Sequence, residues 1–153
     1  IPIDSRLPWV PFAVKEGKKL ISKYSFNVIV SSSPPLSTHL VGLKLHRFSQ
    51  IPWIADFRDA FLDFIPPPTA LHRKMSETLL EKVKREASLI TVVTGIIKKT
   101  LKLPNAVVIE NGFDPEDLEV EAKERDPRFV ISYAGGLVDR EYALRKIGVR
   151  RNS

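Results

Sequence analysis

The sequence predicts an α/β fold, a doubly wound parallel sheet with helices on both faces. Three observations lead there. Short β-branched runs alternate with stretches of helical periodicity, the pattern from which βαβ units are built. The runs are apolar at successive positions, as strands covered on both faces are. The connections between them are short, as crossovers in such a layer require.

Taken in order, Val10, Val14, Gly17, Leu20, Ile21 and Tyr24 recur at helical spacing, with Pro11 tolerable in a first turn. Residues 26–31 (FNVIVS) form the first strand. The following SSSPPLS breaks the pattern, and Ser37 or Thr38 is placed to cap a helix running to about residue 47. Residues 51–56 are the second strand, with Pro52 near its start, where a strand accepts one. A loop containing Pro66, Pro67 and Pro68 leads to Leu71, Met75, Leu79 and Val83, an amphipathic helix ending near Ala87. Residues 89–94 are the third strand, 96–101 a short helix and 106–110 the fourth strand. Asn111-Gly112 turns the chain, and residues 116–127 are acidic and linker-like. A fifth strand covers residues 128–134, and 145–153 form a basic, frayed tail.

Composition bounds the function. At 153 residues, 43% hydrophobic and 27% charged, the chain is long and apolar enough for one cored domain. It has no cysteine, which excludes disulfides, thiolate metal sites and cysteine nucleophiles. Its three histidines, His39, His46 and His72, have no metal-ligand spacing. The net charge of +6 favours anionic partners without choosing among them. No apolar run approaches a membrane span, and no secretory signal pattern opens the chain, so the expected location is cytoplasmic. No basic–aromatic interleaving or recognition motif points to nucleic acid.

Parallel sheets bind ligands outside the carboxyl ends of their strands, which singles out residues 31–35, 56–59, 94–95, 111–114 and 135–136. The densest segment is Asp56-Phe57-Arg58-Asp59. Two carboxylates flanking a guanidinium suit acid–base work, Arg58 holding one ionised while the other accepts a proton. The plainer reading is an ion pair pinning the loop. Ser32, Ser33 and Pro34 lie before a helix N-terminus, where hydroxyls and free N–H groups can hold a phosphate or sugar hydroxyl; the plainer reading is a serine-capped turn. Asn111-Gly112 and Gly135-Gly136 allow close backbone approach to a ligand, or are ordinary turns. Lys15, Lys18, Lys19 and Lys23 gather on the first helix, a basic face for anionic lipid headgroups or a solvated surface. His39 and His46 sit seven apart on one helix and read as surface or core residues, not ligands.

Six segments, in correct order, resemble the family 4 glycosyltransferases. They are Trp9-x2-Phe12-Ala13, FNVIVSSSPPLSTHLVG from Phe26 to Gly42, WIADFRD from Trp53 to Asp59, ASLITVVT from Ala87 to Thr94, VVIENGFDP from Val107 to Pro115, and ISYAGG from Ile131 to Gly136. The resemblance implies the GT-B architecture, two Rossmann-like domains facing a cleft. Residues 1–118 would be part of the N-terminal, acceptor-side domain and 119–127 a linker. Residues 128–153 would be the first strand of the donor-side domain plus the tail. The family's opening strand and Gly-rich loop are expected before Ile1. Most of the donor domain, with its Glu-x7-Glu motif, is expected after Leu137. Many relatives carry a histidine near the strand end where this chain has Asp56 to Asp59.

The resemblance further implies retaining transfer of a sugar from a nucleotide-sugar co-substrate to a glycan or lipid-linked acceptor, with no metal or other cofactor. Asp56, Arg58 and Asp59 would be the acceptor-side catalytic group. Ser32, Ser33, Pro34, Asn111, Gly112, Gly135 and Gly136 would line the substrate cleft. Transfer needs both halves of the cleft to hold the reacting atoms together, so this chain alone is expected to be inactive. Peripheral contact with the inner membrane face through the four lysines, and a homodimer through an exposed sheet edge, are the expected associations. The competing expectation, from another class, is a non-enzymatic α/β domain that binds an anionic small molecule or a protein partner.

Overall fold

Pro11 opens the first long helix from its first turn, where a missing N–H costs nothing. This helix, α1 (Val10–Lys23), follows a 3-10 turn at Leu7–Trp9, and Tyr24 ends it by turning extended. The computed structural model describes residues 3–59 and 69–118. In them follow β1 (Ile29–Ser33), α2 (Ser37–Ser49), β2 (Trp53–Phe57), α3 (Ala70–Glu86), β3 (Leu89–Val92), α4 (Gly95–Thr100) and β4 (Val107–Val108). Residues Ile1–Phe113 form one compact unit; the described Pro115–Leu118, a 3-10 turn, belongs to the next.

The sheet is parallel, with four strands in the order β1-β2-β3-β4. The expected α/β class and parallel sheet are therefore present. Paired residues of parallel strands point to the same side, so the register sorts the side chains into two faces. Ser31, Ser33, Trp53, Ala55, Phe57 and Val92 are buried on one face, where Leu43 of α2, Leu79, Leu80 and Val83 of α3, and Ile97 of α4 join them. Val30, Ile54 and Leu89 lie on the other face, and Val30 is 62% exposed. The topology accounts for this one-sided cover. Parallel crossovers are right-handed, so a chain that adds strands in one direction lays every connecting helix on one side. Among the described residues the second face is open.

Several element ends differ from the sequence reading. The three serines do not break the first strand; Ser31, Ser32 and Ser33 are its last residues, paired with Ala55, Asp56 and Phe57. Hydroxyls that bond across or beneath the sheet make them compatible with a strand interior. Neither Ser37 nor Thr38 caps α2: its N-cap is Leu36, and the Ser37 N–H is satisfied by Asp4 Oδ2 at 2.7 Å. The cap comes from far along the chain, where local patterns do not look. Asn111 and Gly112 form no turn and neither is left-handed; β4 is short and the chain continues past it without reversing. Thr69 and Thr94 cap α3 and α4 by accepting from the N–H of His72 and Ile97. The linker after Leu118, the fifth strand at 128–134, Gly135-Gly136 and the basic tail lie outside the described residues.

Beneath β1 and β2 runs a buried polar chain. Trp53 Nε1 donates to Ser31 Oγ at 2.8 Å, and Ser31 Oγ lies 2.8 Å from His39 Nδ1. His39 Nε2 lies 2.9 Å from Ser33 Oγ. Ser33 Oγ donates to the Asp56 carbonyl at 3.5 Å and so accepts from His39 Nε2–H, which leaves Nδ1 of the neutral imidazole to accept from the Ser31 hydroxyl. Burial pushes the His39 pKa down to about 4, against the opposing charge of Asp56. At the far end of the helix layer, Arg47 of α2 grips Glu86 of α3 through two bonds, at 2.7 and 2.8 Å. These bonds, with that from Arg85, hold the Glu86 pKa down at about 2.

Candidate ligand site at the strand ends

β2 delivers Asp56 to the open face, one residue before the strand ends. Its neighbours in register are Ser32 on β1 and Thr91 on β3, both on the same face. Ser32 Oγ donates to Asp56 Oδ2 at 2.7 Å and Thr91 Oγ1 donates to Oδ1 at 2.7 Å. The carboxylate is thus fixed in plane by one hydroxyl from each adjacent strand. Each oxygen keeps a further acceptor site.

Arg58, just past β2, extends across the end of β3 and donates from Nη2 to Asn111 Oδ1 beyond β4. Its backbone N–H donates to the Ser33 carbonyl at 3.0 Å, which anchors the residue to β1. Arg58 makes no ion pair with Asp56; hydroxyls, not the guanidinium, stabilise that carboxylate. Asp56, Arg58, Thr91, Ile109, Asn111 and Gly112 line an open depression of ≈ 670 Å³ on the uncovered face. Nothing stands within 4 Å of where a Cβ would lie on Gly112, so the backbone there is open to approach.

The sequence-predicted residues divide into three groups. Asp56, Arg58, Asn111 and Gly112 are brought together in the depression, with Ser32 bonded to Asp56 from the side. Ser33 is separated from them: it is buried on the helix-covered face and bonded to His39. Pro34 follows it in the link to α2, while Asp59 is exposed at the end of the described segment. Gly135 and Gly136 lie outside the described residues. Thr91 is the residue that the sequence reading passed over. The sequence carries only part of its signal, a lone hydroxyl at the centre of the apolar run LITVV; its register with Asp56 emerges from the strand pairing.

Chemically, the depression combines a charged acceptor, a guanidinium with donors to spare and an amide, over an apolar floor that includes Ile54 and Ile109. Donor and acceptor side by side suit a ligand dense in hydroxyls. No group of three or more potential metal ligands occurs among the described residues. A second hollow, at the opposite end of the sheet, is lined by Lys84, Ser88, Lys102 and Asn105 and touches none of the predicted site residues. No helix among the described residues is long and apolar enough to cross a membrane. The chain matches no known family model, no characterised protein and no solved structure.

Proposed function

We propose that this chain is the acceptor-binding part of a retaining, nucleotide-sugar-dependent glycosyltransferase of the GT-B type, inactive without the donor-binding half. The observation that carries the reading is the Asp56 carboxylate, fixed by Ser32 and Thr91 at the carboxyl ends of a parallel sheet with Arg58 and Asn111 alongside. A sugar hydroxyl donating to Asp56 and accepting from Arg58 is oriented by two charged partners at once. Such positioning is the main contribution an acceptor half makes to a transfer whose other reactant is held by a second domain. Asp56, Arg58 and Asp59 act on the acceptor side, and the nucleotide sugar is a co-substrate bound elsewhere.

The proposed location is the cytoplasmic face of a membrane. Phe12 is 75% exposed on α1, with Lys15 and Lys19 on the same side of the helix. Lys18 lies over the Phe48 ring at 4.6 Å, Lys23 over Tyr24 at 5.1 Å, and Lys19 pairs with Glu16, so the basic side chains are partly ordered.

The test is the natural reading frame on both sides of this segment. A Gly-rich strand–loop upstream and a Glu-x7-Glu domain downstream are expected. The protein that carries them should transfer labelled sugar from a nucleotide donor, with a loss of at least about 100-fold in Asp56→Asn. Stop codons closing both ends in every frame would overturn the proposal and leave the binding-domain reading.

A further inference from the structure

The first turn of α2 holds all three serines that end β1. His39, wholly buried, spans Ser31 and Ser33 from the helix-covered side, its Nδ1 2.8 Å from one hydroxyl and its Nε2 2.9 Å from the other. Thr38, the residue before it, donates from Oγ1 to the Ser32 carbonyl at 2.7 Å. The two bridged hydroxyls are two residues apart, so both lie on one side of the strand and Ser32, between them, points to the other. There Ser32 holds Asp56 Oδ2, while the Ser33 carbonyl holds the Arg58 N–H at 3.0 Å. One imidazole therefore splints the strand end on which Asp56 and Arg58 both rest. Phe57 and Trp53 confine the ring, with centroids 4.4 and 6.4 Å away. A side chain needed only to fill this space could be apolar. A ring with one acceptor and one donor, each engaged by a strand hydroxyl, also fixes where those hydroxyls stand.

We infer that His39 is a positioning residue of the Asp56–Arg58 site, setting both groups from the opposite face of the sheet by holding the end of β1. It bonds to neither of them and reaches no ligand. The inference rests on the acceptor-site reading for the identity of that ligand, and its geometry is testable with no ligand present. The two ring nitrogens do unequal work. Ser31 has a second partner in Trp53 Nε1, at 2.8 Å, and lies away from the strand end. Ser33 depends on Nε2 and carries the Arg58 anchor, so the Nε2 bond is the one that positions the site. Without it, a buried hydroxyl must find another partner and the strand end moves with it. The Asp56 carboxylate then loses the exact placing of its Ser32 bond and keeps only that from Thr91. A displacement of about 1 Å in a positioned group is enough to cost about 100-fold in a transfer reaction.

The experiment is amide hydrogen exchange of the 153-residue chain beside His39→Asn, His39→Gln and Ser33→Ala. The shorter Asn offers Ser31 an acceptor where Nδ1 stood and leaves Ser33 unheld. The longer Gln offers Ser33 an N–H donor where Nε2 stood and leaves Ser31 to Trp53. Ser33→Ala cuts the Nε2 bond from the strand side by removing a single oxygen, and so answers the question even if a His39 variant does not fold. Arg58 reports the strand end; Ile29, bonded to the Pro52 carbonyl at the other end of the same strand pair, reports general stability. Relative to Ile29, the Arg58 amide should exchange at least about 10-fold faster in His39→Asn and Ser33→Ala, with His39→Gln within about 3-fold of the unmodified chain. An unchanged ratio in Ser33→Ala, or equal acceleration of both amides in every variant, overturns the inference and leaves His39 a stabilising core residue. Neutral oligosaccharide is then titrated into each form, and affinity should follow the same order. Equal affinity in all forms also overturns the inference. Binding by none of them refutes the acceptor-site reading instead, and the exchange ratio alone decides the positioning.

Discussion

Arg58 and Asn111 are joined by a hydrogen bond that passes over the end of β3, linking the segments that follow β2 and β4. The guanidinium is thereby held beside Asp56 without being neutralised by it. One donor serves the amide, and the rest stay available in a fixed orientation. Fixing a cation this way, rather than through a salt bridge, leaves both charges of the depression able to meet a ligand.

Asn111→Ala removes the tether and keeps the cation. Both side chains are exposed, so global stability should change by less than about 1 kcal/mol in urea denaturation. Saccharide affinity should fall by roughly 10-fold, because Arg58 must then be ordered on binding. Equal affinity in the variant would mean that the tether has no part in recognition.

His39 gives folding a defined pH dependence. Its folded pKa of about 4 lies below the ordinary 6.5, so between those values the unfolded chain binds more protons. Stability from this group is complete above pH 6.5 and declines as pH falls toward 4, by about 3 kcal/mol in all. His39→Gln should start lower and lose this part of the slope. Denaturation midpoints at pH 7, 6, 5 and 4.5 measure it; parallel profiles for the two proteins would contradict it.

Glycine is required at position 42 for steric reasons. A Cβ there would overlap Trp53 Nε1 and approach Ser31 Oγ to 2.9 Å, at the head of the buried polar chain. Gly42→Ala should destabilise by about 1–3 kcal/mol. Gly17→Ala meets only the Leu45 side chain, at 2.7 Å from Cδ1, and gains up to about 1 kcal/mol of helix propensity. Its melting temperature should change less than that of Gly42→Ala, and the opposite order would refute the packing argument.

Binding of α1 to anionic vesicles should depend on both aromatic and basic residues. Lys15→Glu and Lys19→Glu each cost about 1 kcal/mol or more, and Phe12→Ala weakens binding further. Co-sedimentation with phosphatidylserine vesicles reads the effect, with neutral vesicles as reference. Equal retention on both would remove the lipid role.

The regular elements were legible because their causes are local. Val10 to Tyr24 and Leu71 to Val83 carry an apolar stripe at helical spacing, and the strands are runs of β-branched residues. The site was legible in part: Asp56, Arg58 and Asn111 stand at strand ends, where a parallel sheet places its ligands. What escaped depends on partners distant in sequence. Ser31–Ser33 resemble a turn until register supplies Asp56 and His39 as partners. Ser37 resembles a cap until Asp4 takes the role. The helix cover on one face follows from strand order, which no local pattern contains.

The most direct test of the acceptor-site proposal is an amide-resolved NMR titration of the chain with neutral oligosaccharides, beside inorganic phosphate and a nucleoside diphosphate. Millimolar saccharide should shift Ser32, Asp56, Arg58, Asn111 and Gly112 together, and Arg58→Ala should abolish the effect while leaving the fold intact. Shifts confined to the anions, or saccharide shifts away from these residues, would contradict an acceptor site at Asp56.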